Sequence, residues 1–136
     1  MADSGPYGIT GGIVEYAYPG DILTFAVDSS ASTTVLGGNL VTISGDFKVE
    51  QSGTTDIAVA GVALHDAAAG AVLTVARTGV YFLKAANTVS AGELVESAAA
   101  GTVDVYTTAS TFSQVVGIAL EDIAQGALGR VELRLG

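Results

Sequence analysis

His65 and Asp66 stand side by side, and a histidine beside a carboxylate is where general acid–base or nucleophilic chemistry would be sought first. The chain has one histidine, no cysteine and no tryptophan. A nucleophile would have to be a serine or threonine activated by His65 or a lysine, and the sequence contains no G-x-S-x-G elbow. Its 14 Asp and Glu residues offer carboxylate pairs, but most sit among turn residues and no spacing singles out one pair for glycoside chemistry. No P-loop, dinucleotide fingerprint or metalloprotease helix is present, and Asp46 and Asp56 are too far apart to imitate a calcium loop. The expectation is a non-enzymatic chain with no cofactor and no metal site.

An internal repeat gives His65 another role. The run from Gly61 to Ala71, GVALHDAAAGA, aligns without a gap on Gly117 to Ala127, GIALEDIAQGA, with seven of the eleven positions identical. Glu121 replaces His65 in the second copy, so this position reads as an exposed turn residue. The shared pattern is a strand, then an acid (Asp66, Asp122) able to accept N–H groups of the following turn, then a glycine (Gly70, Gly126) able to take positive φ. With Gly61 and Gly117 these residues make a structural turn motif. Each copy runs on into another strand, which predicts two similar strand-turn-strand units, around 57–76 and 115–135, able to face each other across one core.

The elements that would hold these turns are short runs rich in Val, Ile, Leu, Thr and Tyr between glycine-bearing breaks. The expected strands are 13–18, 22–27, 33–36, 40–43, 47–50, 57–64, 72–76, 80–84, 93–96, 102–106, 115–120 and 130–135. In the last, Arg130, Glu132 and Arg134 alternate with Val131, Leu133 and Leu135, the period of a strand with one wet and one buried face. Pro19-Gly20-Asp21, Gly37-Gly38-Asn39, Gly45-Asp46, Ser52-Gly53 and Ala91-Gly92-Glu93 supply turns. Ala67–Ala69 and Ala98–Ala100 could each make one helical turn, cut short by Gly70 and Gly101. The fold class expected is all-β: a compact β-sandwich or β-barrel-like domain over 13–136.

The first dozen residues, MADSGPYGITGG, have no periodicity and read as a flexible N-terminal arm over 1–12, either loose or ordered by a partner. Tyr7 sits in this arm, and Tyr16 and Tyr18 fall on one face of the first candidate strand, as core or rim packing or as a sticky surface. Asp3, Pro6, Tyr7, Ile9, Tyr16 and Tyr18 are the candidate contacts to a partner surface or another subunit.

Length and composition bound the rest. A chain of 136 residues can bury a core as one domain without disulfides or metal. Five Lys and Arg against 14 acids, a formal charge of −9, argue against binding nucleic acid or anionic membrane, both of which require clustered basic residues. The longest uncharged stretches, Ser29–Gly45 and Val105–Leu120, are shorter than the roughly 20 apolar residues that span a bilayer. The start lacks the basic and apolar pattern of a secretory signal, so synthesis in the cytoplasm is expected. Only 14% of the residues are charged, against about 25% in ordinary soluble domains. With 49% hydrophobic residues, that suggests that part of the surface faces other protein.

The run VAGVALHDAAAGAVLTVARTGVYFLKAANTVSAGELVE from Val59 to Glu96, with the closing VVGIALEDIAQGALGRVELRLG, resembles the tailed-phage capsid decoration (head cement) proteins. The resemblance rests on Gly-Val-Ala with Asp and Gly in its turn, on Gly79-Val80-Tyr81-Phe82, and on Ala91-Gly92-Glu93 leading into Leu94-Val95. It covers about the C-terminal three-fifths of the chain. Before residue 50 only Tyr18-Pro19-Gly20-Asp21 matches loosely. The resemblance implies a compact β-domain on the outer surface of the virion capsid. There it would bind the major capsid protein, commonly as homotrimers, and stabilise the lattice. The alternative is another virion β-module, in a tail, fibre or adhesin, that binds receptor or glycan.

Overall fold

Alternating Val, Leu, Ile and Thr between glycine turns build eleven strands among the described residues. They are β1 (Tyr16–Pro19), β2 (Ile22–Val27), β3 (Leu40–Gly45), β4 (Lys48–Gln51), β5 (Val59–Ala63), β6 (Val72–Ala76), β7 (Gly79–Lys84), β8 (Leu94–Ser97), β9 (Val103–Val105), β10 (Val115–Ala119) and β11 (Leu128–Leu133). The computed structural model describes residues 16–19, 21–30, 34–54, 56, 58–107 and 114–135. The expected arm, with Asp3, Pro6, Tyr7 and Ile9, lies outside the described residues.

Of the two architectures left open by the sequence, the chain forms one closed barrel together with a second sheet. Strands β2-β4-β3-β5-β6 close on themselves, and β1-β7-β11-β10-β8-β9 form a second, six-stranded sheet. Closure requires β6 antiparallel to β2, from Ile22↔Ala76 to Ala26↔Val72, and β4 parallel to β2 through Ala26↔Lys48 and Val27↔Val49. Period-two alternation turns Phe25, Val27, Val41, Val49, Leu73 and Val75 inward as one buried cluster.

The second sheet repeats the pairing pattern of the barrel. β7 pairs β11 as β2 pairs β6, β10 pairs β11 and β8 as β5 pairs β6 and β3, and β8 pairs β9 as β3 pairs β4. Even the parallel closure recurs as one bridge, Ala85↔Val103. The Asp28 N–H donates to the Val49 carbonyl and the Ala86 N–H to that of Val103, both at 2.8 Å. Bridges Val35↔Ala67 and Val89↔Ile123 also correspond. One difference is β1, which lies antiparallel on the start of β7 with Tyr18 opposite Val80.

Packing differs between the halves in a compensating way. Buried Leu73 in the first half corresponds to Gly129 in the second, and buried Ala67 to buried Ile123. A Cβ on Gly129 would fall on Ile123 Cγ1 and come within 2.7 Å of its Cδ1, so the larger side chain has moved from the strand to the turn. The second buried cluster contains Tyr81, Leu83, Val95 and Val131 together with Leu40, Val62, Leu64 and Ala76 from the first half. Leu40, Val62 and Ala76 alternate with inward-facing Val41, Ala63 and Val75, so they lie on the outer face of the barrel, against the second half.

Several sequence expectations shift. Of the strand expected over 33–36, the described residues 34–36 form only the Val35↔Ala67 bridge, because Gly37 and Gly38 turn the chain at once. Ala67–Ala69 makes no helical turn, since Ala67 is held in that bridge. At the second alanine run a single 3-10 turn forms over Ala99–Gly101.

Candidate functional site

The turn motif is built by hydrogen bonds that the sequence did not indicate. Asp66 Oδ1 accepts the Gly37 N–H at 2.8 Å, and Asp122 Oδ1 accepts the Ala91 N–H at 2.8 Å. Each acid therefore ties its turn to a distant one rather than capping the turn that follows it. The reason is the adjacent bridge, which lays residues 35–38 and 89–92 alongside the motif and presents their N–H groups to it. Gly70 and Gly126 take φ of +83° and +78°. Gly61 and Gly117 lie within strands rather than in the turn: a Cβ there would fall on the carbonyl oxygens of Ala76 and Glu132 across the sheet.

His65 and Glu121 do the same work with different chemistry. The Thr74 N–H donates to His65 Nε2 at 3.1 Å, and the Arg130 N–H donates to Glu121 Oε2 at 2.8 Å. Thr74 and Arg130 are corresponding positions on β6 and β11, so each side chain accepts an N–H of the next strand. His65 Nδ1 lies 3.0 Å from the Asp66 carbonyl oxygen, which assigns the proton to Nδ1 and leaves Nε2 as the acceptor. Arg130 also bonds Glu121 through Nε at 3.0 Å, which holds the Glu121 carboxyl below its usual range and raises the guanidinium. The same guanidinium lies 6.0 Å from the centre of the Phe82 ring.

Tyr16 and Tyr18 lie in β1, opposite Tyr81 and Val80, with a register shift between them. Among the described residues no group of three His, Asp or Glu gathers as a metal site, and no helix is long and apolar enough to cross a membrane.

Sequence reasoning missed the exposed apolar end of the barrel. Phe47 is 67% exposed and has φ +50°, in the left-handed region that disfavours a bulky residue. Its carbonyl accepts the Ala26 N–H at 2.9 Å, and its ring centroid lies 5.5 Å from that of Phe25. Leu23 and Ile43, also exposed, lie toward the same end, because β2 and β4 run parallel and β3 runs against them. Asp28 braces this hairpin. Its carboxylate accepts the Ser30 N–H and hydroxyl and the Ser44 hydroxyl. These bonds, the Ser30 N–H foremost, and the nearby Lys48 charge lower its pKa to about 2. The available signal was Gly45-Asp46 followed by Phe47, an aromatic at a turn position that glycine or asparagine would occupy more cheaply.

The described residues thus form a closed barrel whose pairing pattern recurs in a second sheet, with an apolar end exposed around Phe47. A family profile described as phage cement protein matches residues 18–135. The chain belongs to the phage cement protein family, and it is a virion structural protein. Among solved structures it is similar to the N base of the head fibre of bacteriophage phi29, with a TM-score of 0.63 at 21% identity. That likeness covers 84% of this chain and 95% of the other, and it shows the shared fold. No curated protein matches the sequence.

Proposed function

We propose that this protein decorates the outer surface of the assembled head, where it binds the major capsid protein as a homotrimer and braces the lattice without catalysis. The observation that carries this reading is the cement-family match over residues 18–135. The low charge fraction and the apolar end around Phe47 support it, since both suit burial against other protein. Threefold repetition of one modest contact raises the avidity of the whole. The arm over residues 1–12 adds Tyr7 and Ile9 to the contact. The test is the ratio of this protein to the major capsid protein in purified particles, by quantitative mass spectrometry. A ratio near one to one supports lattice-wide decoration, and a few copies per particle overturns it.

The likeness to the phi29 head-fibre base favours one second reading, a base that seats a projecting fibre on the head. Electron cryomicroscopy of the same particles separates the two. A low cap on the shell fits decoration, and a long projection above each copy fits a fibre base.

A further inference from the structure

Inside the chain, the two halves meet through surfaces that are not alike. The first half contributes the outer face of its barrel, with Leu40, Val62, Leu64 and Ala76 all buried. The second contributes its hairpin end, where Tyr81 and Leu133 are buried in the same cluster. The Gly101 N–H in the β8–β9 turn donates to the Ser52 carbonyl at 3.1 Å, and the Asp56 N–H donates to Ser97 Oγ at 2.8 Å. A Cβ on Gly101 would lie 2.9 Å from Asn39 Cγ, so this turn sits tightly on the first half.

Each of these surfaces has a counterpart in the other half that is left open. The hairpin end of the first half carries Leu23, Ile43 and Phe47, where Leu23 corresponds to Tyr81, Ile43 to Ser97 and Phe47 to Gly101. Leu23 is 42% exposed, whereas Tyr81 is 1% exposed. The outer face of the second half carries Leu94, Ile118 and Leu120, corresponding to Leu40, Val62 and Leu64. Leu94 and Ile118 are half-buried, and Leu120 is 48% exposed against 4% for Leu64. The molecule thus presents, exposed, a largely apolar counterpart of each side of a contact that it makes internally, with Glu132 standing for Ala76 and Arg77 for Leu133.

We propose that a second copy of this chain covers these faces. The Leu23–Ile43–Phe47 end of one protomer seats on the Leu94–Ile118–Leu120 face of the next, in an arrangement related to that between the halves but opened to admit the Phe47 ring where Gly101 packs closely inside the chain. Because the two faces differ, the contact is heterologous, and it closes into a ring when successive rotations sum to a full turn. The proposal gives a geometry to the self-association in the functional reading above, and it needs no capsid.

The test uses the full-length protein with two exposed substitutions, Phe47→Asp and Leu120→Lys, read by native mass spectrometry and light scattering, with circular dichroism confirming the fold. Wild type is expected to form closed rings, and each variant alone is expected to be monomeric, with at least tenfold weaker association. Mixing the variants is the diagnostic step. The first keeps an intact Leu120 face and the second an intact Phe47 end, so the mixture should form one-to-one heterodimers that grow no further. Heterodimers capped at two chains establish the head-to-tail contact. Variants that assemble like wild type overturn it, as does a mixture that stays monomeric or a wild type that is monomeric throughout. Retained binding of a monomeric wild type to heads would leave the decoration reading standing while removing this one.

Discussion

Exchanging Gly129 for leucine while cutting Ile123 to alanine copies into the second half the arrangement that the first half already uses with Leu73 and Ala67. Taken singly, both changes are harmful. Gly129→Leu drives a side chain onto Ile123, whose Cγ1 already occupies the Cβ position, and overpacking of this kind costs about 1–3 kcal/mol. Ile123→Ala deletes most of a side chain that is 1% exposed and costs about 2–5 kcal/mol through lost burial and the cavity left behind. If the volumes are exchanged rather than lost, the leucine fills the alanine's cavity. The double variant should then be at least about 1 kcal/mol more stable than the sum of the single losses. At this chain length that coupling is about 3–5 °C in Tm, within reach of thermal and urea unfolding followed by circular dichroism. Additive losses, or a double variant worse than additive, would refute the claim that the halves solve one packing problem with inverted side chains.

Other outcomes follow from the turns and the hairpin. Asp66→Ala should cost about 1–3 kcal/mol in urea unfolding, because it strands the part-buried Gly37 N–H, and Asp122→Ala should cost less at its more exposed site. His65→Glu should keep the stability that His65→Ala loses in the same assay, since glutamate serves this position in the second half. Stability should fall as pH drops from about 4 through about 2. The Asp28 carboxylate, with its pKa lowered in the folded state, contributes fully above its unfolded value and loses that contribution as it is protonated; Asp28→Asn should flatten this part of the pH profile of Tm. Phe47→Gly should unfold near the wild-type midpoint, because relief of about 1 kcal/mol of backbone strain offsets the lost contact with Phe25. Its self-association, measured by light scattering, should nevertheless drop.

Period and turn chemistry made much of the fold legible. β2 and β6 run from the expected first to the expected last residue, and β11 shows buried Val131 and Leu133 between more exposed Arg130 and Glu132. What stayed hidden is non-local. The parallel pairing of β2 with β4 leaves no trace in either strand's own pattern, since pairing partners are chosen by closure of the whole barrel. The repeat could be read only where identity survived, in the two turn motifs. Elsewhere the halves share a pattern of burial while Phe25 stands for Leu83 and Leu73 for Gly129. The apolar end escaped notice because Phe47 adopts a conformation that its side chain disfavours.

The pairing of β1 with β7 has a consequence during synthesis. β1 leaves the ribosome before any other described strand, yet its partner is made only after the barrel strands β2 to β6 are complete. The barrel can close first, and at that moment Leu40, Val62, Leu64 and Ala76 still face water as an apolar strip while β1 waits without a ladder. A nascent chain whose barrel closes first carries both an adhesive face and a loose strand at that stage, the conditions under which neighbouring chains exchange elements. Slowing translation after β6 has cleared the ribosome and before β11 has followed should lengthen that exposure and raise the aggregated fraction without altering the stability of the finished protein.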